Sequence, residues 1–271
     1  MSTPPPTFTE GTFAPNPARG PLLGMLRAQA GIETRLALRN GEQVLLTLLI
    51  PVVLLFGLSL IPLLPVPPSQ VAQPRVGSVL PSILALAVMS SAFTSQAIAL
   101  GFDRRYGVLR RLAATALPRW LLVTGRLVAV LAVVVIQVVL LCVVAALIGW
   151  RPSEMAGGAN LLGAAVSVLL GAAAFGALGI LLGGTLRAEI VLALANVIWF
   201  VLLLAGGIVI PLSMLPGPIA VVAQFLPSGA LAEALRATMV EGAAPGTGPV
   251  LVLVGWAVVA GLVAARTVRW R

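Results

Sequence analysis

Residues 102–120 read FDRRYGVLRRLAATALPRW: five arginines in nineteen positions, set in a chain of 271 residues that is 59% hydrophobic and 9% charged. A soluble domain carries about a quarter charged residues. This chain lacks the polar surface that a water-soluble fold needs, so the composition points to an integral membrane protein. Within the stretch, Val108, Leu109, Leu112, Ala113 and Ala116 recur at helical spacing. Asp103 is placed as the N-cap, Arg104, Arg110 and Arg111 fall off the apolar face, and Pro118 ends the helix by pushing Leu117 out of helical geometry. The reading is a short, charged, amphipathic helix over 103–118 at a membrane surface. Charge alone fits two roles for it: fixing topology while binding anionic headgroups, or docking a cytosolic partner. Tyr106 and Gly107, in the middle of the cluster, speak against a plain headgroup stripe.

The flanking sequence supplies the spans. A transmembrane helix needs about 20 apolar residues. Six runs qualify: about 44–64, interrupted by Pro51, then 79–101, 120–149, 159–183, 190–210 and 249–265. With both termini in the cytosol, thirteen arginines fall inside: Arg19, Arg27, Arg35, Arg39, Arg104, Arg105, Arg110, Arg111, Arg119, Arg187, Arg266, Arg269 and Arg271. Three fall outside, Arg75, Arg151 and Arg236, and Arg126 lies just within the third run, from where it is expected to snorkel to the surface. This bias follows the positive-inside rule and makes the arginine stretch the cytosolic loop between spans two and three. Residues 1–21 are rich in Pro, Thr and Gly and read as a disordered tail. Residues 22–40 form a helix with Leu22, Met25, Leu26, Ile32 and Leu36 on one side, spoilt by Glu33. It fits a helix lying in the membrane interface, with an ordinary soluble helix as the alternative.

Residue usage excludes several chemistries. All 17 basic residues are Arg, and His is absent. Without Lys there is no P-loop, and without His there are no His-based metal sites or triads. Cys142, the one cysteine, reads as a passive thiol in an apolar run. Ion-coupled carriers need buried Asp, Glu or His, and the spans offer only Arg126 near an end, so the energy source is expected on another chain. Ser90, Ser91, Thr94 and Ser95 of span two fall within about 140° of arc on an ideal helix. Span five carries Asn196, Trp199 and Phe200. These groups either border a translocation path or only pack, with Asn196 bonding a neighbouring helix. Gly179 and Gly183 form a GxxxG pair that reads as packing, as does Gln137.

After span five, Pro211, Pro216, Pro218 and Pro227 punctuate an apolar region. Its segment PIAVVAQFL would be about 13 Å long as a helix and cannot cross a bilayer. A second helix follows, with Glu233 and Arg236 spaced to pair at i,i+3. The region 211–241 therefore reads as a re-entrant pair dipping into the outer leaflet, because a loose apolar loop of that size would aggregate.

In their order and spacing, Asp103, Arg104, Arg105, Gly107, Leu109, Leu112 and Pro118 resemble the first cytosolic loop of type-2 ATP-binding-cassette (ABC) exporter permeases. Val108 stands where that family often has Thr. Pro211, Leu212, Pro216, Pro227, Glu233, Leu235 and Arg236 resemble its re-entrant region, and the nearest branch is drug resistance, daunorubicin-exporter-like. The resemblance implies an all-α polytopic membrane protein. Its parts would be an interfacial amphipathic helix at 22–40, a six-span permease domain over 41–271, a cytosolic coupling helix and an extracellular re-entrant helix pair. It further implies that Asp103, Arg104, Arg105, Tyr106, Gly107, Leu109, Arg110, Arg111, Leu112 and Pro118 meet an ATPase subunit that holds ATP and Mg. A second permease, a copy or a paralogue, would place spans two and five along the route. The chain itself would carry no catalytic site and no cofactor. The substrate would be a hydrophobic or amphipathic drug, antibiotic, lipid or glycolipid, exported across a bacterial cell membrane, with membrane lipid as surroundings and no nucleic acid. The alternative is a non-transport scaffold or passive channel. An enzyme would need a base beside Ser90 or Ser91, and the spans supply none.

Overall fold

The computed structural model describes residues 21–39, 41–61, 75–113, 118–154 and 158–268, without the side chains of 41–46, 110, 112–113, 119 and 154. Among these residues the chain is helical, with no strand. In order, the helices are α1 (Leu22–Arg39), α2 (Gly41–Leu60), α3 (Arg75–Met89), a π-helical turn (Ser90–Thr94), α4 (Ser95–Arg105), α5 (Val108–Ala113) and α6 (Arg119–Leu147). They continue as α7 (Leu161–Thr185), α8 (Ala188–Ala205), α9 (Gly217–Ala223), α10 (Pro227–Met239) and α11 (Thr247–Thr267). Five helices are long and apolar enough to cross a membrane: the continuous rod Arg75–Arg105, α6, α7, α8 and α11. The shorter apolar helix Thr47–Leu60 lies within α2, and α9 and α10 meet at a bend of 91°. This is the architecture of an all-helical, multi-pass membrane protein.

The rod Arg75–Arg105 is the hub. Leu80, Leu84, Met89, Ala92, Ala97 and Leu100 along it are sealed from every side. The other spans wrap around it and turn apolar side chains outward, such as Val139 on α6, Phe200 on α8 and Leu251 on α11. In water such flanks would be a liability; in a bilayer they meet lipid tails. Close approach to the hub comes from the small face of α7. A Cβ at Gly179 would stand 2.7 Å from the carbonyl oxygen of Phe93, and one at Gly183 would be closer still to that of Ala97. Backbone therefore packs on backbone, as expected for the GxxxG pair. Further along the same helix, Gly171 receives Leu231 and Gly163 receives Thr238, both from α10.

Two local features depart from the sequence reading, and a third adds to it. First, Asp103 caps nothing: α4 continues the span through Arg105, and the chain turns at Tyr106 and Gly107, where Gly107 takes a φ of +71°. The separate helix begins only at Val108, because a residue without a Cβ is what lets the chain leave the rod. Second, Pro51 does not interrupt its helix, which runs through it, as α3 runs through Pro81. Third, α1 packs along the start of α6, burying Gln29 and Ala30. Gln29 lies where a Cβ on Gly125 would be. Residues 1–20 and 114–117 lie outside the described residues.

The glycine seam yields a stability test. Gly183→Ala forces a methyl into the Ala97 carbonyl and is expected to cost about 1–3 kcal/mol. Gly261→Ala, where nothing lies within 4 Å, is expected to leave the thermal midpoint in detergent unchanged or slightly higher. Thermal unfolding of the two purified variants checks this.

Candidate coupling site

The charged end of the hub is organised by Arg126. Its side chain, on α6, is only 3% exposed as a residue. It does not snorkel; two carboxylates come to it instead. Its Nη2 pairs with Oδ2 of Asp103 on α4, and its Nε lies 3.3 Å from Oε1 of Glu33 on α1. Gln29 Nε2 donates to the same Glu33 oxygen at 2.9 Å. The residue that spoils the apolar face of α1 is thus the one that fastens it. A cavity of about 240 Å³, lined partly by Glu33, Gln96, Asp103 and Arg126, lies beside the triad. Burial pushes the Glu33 carboxyl above its ordinary 4.5; the Arg126 charge opposes this and the Asp103 charge adds to it.

The next two residues tie the hub to the turn between α7 and α8. Arg104 Nη1 donates to the carbonyl oxygens of Gly183 at 3.2 Å and Leu186 at 2.7 Å. It thereby satisfies carbonyls that the end of α7 leaves open. Arg105 pairs with Glu189, in the first turn of α8, at 2.7 Å. Both side chains of that pair are more than half exposed, so it contributes little stability. Beyond it, Tyr106 is exposed and stacks on Phe102 with ring centroids 6.0 Å apart. Leu109 anchors α5 by burying its side chain among Leu100, Leu122, Ile180 and Val268. Arg111 stays exposed, its Nη2 donating to the Tyr106 carbonyl at 3.4 Å. The side chains of Arg110 and Leu112 lie outside the described residues, and Pro118 stands as the N-cap of α6.

The hydroxyl cluster of span two does not form one face. The π turn adds a residue, and its serines diverge. Ser90 Oγ accepts from Trp199 Nε1 of α8 at 2.9 Å. Ser91 Oγ donates to Gln137 Oε1 of α6 at 2.6 Å, and Gln137 Nε2 donates to the Thr47 carbonyl at 2.6 Å. Ser95 Oγ donates back to the Ser90 carbonyl at 3.3 Å. Thr94 Oγ1 is buried with no partner among the described residues. Among the described residues Asn196 bonds no neighbouring helix: its Nδ2 donates to the Leu192 carbonyl one turn back, on an exposed face. Phe200, also exposed, meets Trp199 edge-on at 5.0 Å.

At the opposite end, Arg236 is buried and donates from Nη2 to the carbonyl oxygens of Gly207 and Ile208, in the turn after α8. Glu233 lies 3.7 Å from its Nη1, the i,i+3 pair expected from spacing. Pro227 starts α10 and is buried; Pro216 caps α9, and Pro211 caps the short 3₁₀ turn Leu212–Met214. Sequence reasoning missed the roles of Glu33 and Arg126 in holding three helices together, and no local pattern could have joined residues so far apart.

The triad can be dissected. Arg126→Met leaves two carboxylates facing one another and is expected to cost about 3–5 kcal/mol, part of it regained by adding Glu33→Gln. Because the folded-state carboxyl of Glu33 is raised, its stability contribution is fully present below 4.5 and declines as pH rises through the folded value. Unfolding followed as pH is lowered from neutral towards 4.5 should show stability rising in the wild type and not in Glu33→Gln.

Comparison with known proteins agrees with this geometry. No curated protein matches the chain significantly. The model of the ABC-2 type transporter family matches residues 28–240. That span takes in the Glu33–Arg126–Asp103 triad, the helix after Gly107 and the bent α9–α10 pair. The chain belongs to the ABC-2 type transporter family, as a transmembrane permease component that is not itself catalytic.

Proposed function

We propose that the chain is the permease subunit of an ATP-driven exporter, working with a separate ATPase subunit that binds ATP and Mg and docks at α5. Family members normally work with an ATPase subunit. The arginine-rich end would face the cytosol of a bacterium, with both termini on that side. A second permease, a copy or a paralogue, would face spans two and five. The observation that carries the reading is the way α4 is fastened just before Gly107. Asp103, Arg104 and Arg105 join it to α6, the end of α7 and the start of α8, and Arg126 extends the link to α1. A push on α5 therefore reaches the hub as a rigid lever. The hub touches α8 through Ser90 and Trp199, so its movement would shift spans two and five relative to each other. The flanks around that pair are apolar, which supports a hydrophobic or amphipathic substrate such as a drug, antibiotic, lipid or glycolipid.

Two measurements test this. Reversing Arg110 and Arg111 to Glu should release the ATPase from the detergent-solubilised complex while membrane insertion is kept. Unchanged co-purification would leave these arginines to topology or headgroups, with the chain a scaffold or channel. Trp199→Phe removes the indole N–H from Ser90, a change of about 0.5–1.5 kcal/mol. Substrate-stimulated ATP turnover of the reconstituted complex should shift by about 2- to 10-fold; a response identical to wild type would assign the Ser90–Trp199 contact to packing alone.

A further inference from the structure

Helix α1 meets α6 through Gln29, Ala30 and Glu33. A separate face of the same helix is left uncovered. Ile32, Arg35, Leu36 and Arg39 follow at i, i+3, i+4 and i+7 and so lie together. All four are exposed, Ile32 to 58% and Leu36 to 60%. Glu33 is the one acidic residue of α1, and it is turned to Arg126. Arg35 and Arg39 therefore meet no carboxylate on their own helix, and no ion pair holds either of them among the described residues. The height of α1 follows from α6. That span is apolar over 28 residues, about 42 Å of helix, against a hydrocarbon core of about 30 Å. Part of it must stand in the headgroup layer. α1 crosses near its start, at Gly125 and Arg126, and a guanidinium gathering two carboxylates belongs outside the hydrocarbon. The uncovered face thus lies at the level of lipid phosphates.

We propose that this face binds the headgroup of an anionic bilayer phospholipid. Arg35 and Arg39 donate to its phosphate oxygens, while Ile32 and Leu36 lie against its glycerol and first methylenes. A guanidinium presents a planar fork that matches two phosphate oxygens. An arginine stem follows apolar surface while its charge reaches the polar layer. A free anion would leave Ile32 and Leu36 bare; a phospholipid occupies all four positions. A choline headgroup brings its own cation to the phosphate, so two uncompensated arginines favour a headgroup of net negative charge. A lipid held here anchors to the bilayer the helix that Glu33 ties to α6 and, through Arg126 and Asp103, to the hub. The face is separate from α5 and from spans two and five, so this binding does not depend on the proposed transport.

The test uses the full chain in detergent micelles supplied with equal amounts of dioleoyl-phosphatidylglycerol and dioleoyl-phosphatidylcholine. Native mass spectrometry counts the bound lipids. The native sequence should retain the glycerol lipid over the choline lipid by roughly 5- to 30-fold, the range for one or two arginines at an anionic surface. Arg35→Gln combined with Arg39→Gln should bring the two lipids close to parity. Arg187→Gln combined with Arg266→Gln removes the same charge from two other exposed positions and should leave the preference intact. Parity in the native sequence overturns the proposal. So does a preference that survives the α1 changes, as when the face docks a protein, or one that falls equally in the Arg187 and Arg266 variant, which marks a diffuse field. Thermal unfolding supplies a second readout. Gln keeps the helix propensity of Arg, and neither α1 arginine belongs to the Glu33–Arg126 pair, so without lipid the midpoint should match the native one. Added phosphatidylglycerol should raise the midpoint of the native sequence and not that of the Arg35 and Arg39 variant. Inorganic phosphate should raise neither; a rise confined to the native sequence would assign these arginines to a free anion and refute the lipid site.

Discussion

Everything in this fold rests on how closely one helix can be approached. The rod Arg75–Arg105 is buried along most of its length, and lipid gives no hydrophobic reward for burying apolar surface. Helices must then be held by dispersion at short range and by polar pairs. Glycines at 179 and 183 let α7 lie against the carbonyls of Phe93 and Ala97, and glycines at 163 and 171 admit α10 to the same helix. The π turn at Ser90–Thr94 is where the two conditions meet. Its carbonyl edge receives Gly179, and its serines reach two different neighbours.

The polar contacts fall into two kinds. In the middle of the bundle they are neutral: Ser91 with Gln137 and Thr47, and Ser90 with Trp199. These pairs satisfy their donors without bringing charge into the hydrocarbon. At the two ends they are charged. Arg126 gathers carboxylates from α1 and α4, and Arg236 holds the carbonyls of the turn after α8. A guanidinium with its fan of donors suits both tasks, because it can satisfy several oxygens arriving from separate elements.

Five of the six spans were legible in the sequence because length and apolarity determine them, while the first yields only the shorter apolar helix Thr47–Leu60 among the described residues; the small stripe of α7 was legible because Gly at i and i+4 must share a face. The bent pair α9–α10 was legible from closely spaced prolines, which favour helix starts, and from a segment too short to cross. The rest lies in long-range geometry. A π turn changes the direction of Ser90 relative to Ser91 without any change in composition. Glu33 looked like a flaw in an amphipathic helix, since its partner lies on another helix in a distant part of the chain. Asp103 looked like a cap, since Asp favours caps; the span simply does not stop there, and the positive φ at Gly107 marks the true break.

The arginine stretch resolves into two populations. Eight acidic residues serve the whole chain, and three of them, Glu33, Asp103 and Glu189, meet arginines at this one end. Those contacts, with Arg104 on the carbonyls of α7, fix α4 in place up to the residue before the turn. Past Gly107 no acidic residue is left in the stretch, and Arg110 and Arg111 follow on a helix anchored by one buried leucine, Leu109. The division answers why so oily a chain concentrates cations here. Arg104, Arg105 and Arg126 tie the end of the hub to its neighbours, and Arg110 and Arg111 follow in the sequence beyond the turn at Gly107. Under the proposed function, firm anchoring before the turn and arginines beyond it would suit the transmission of a push from α5 to the hub.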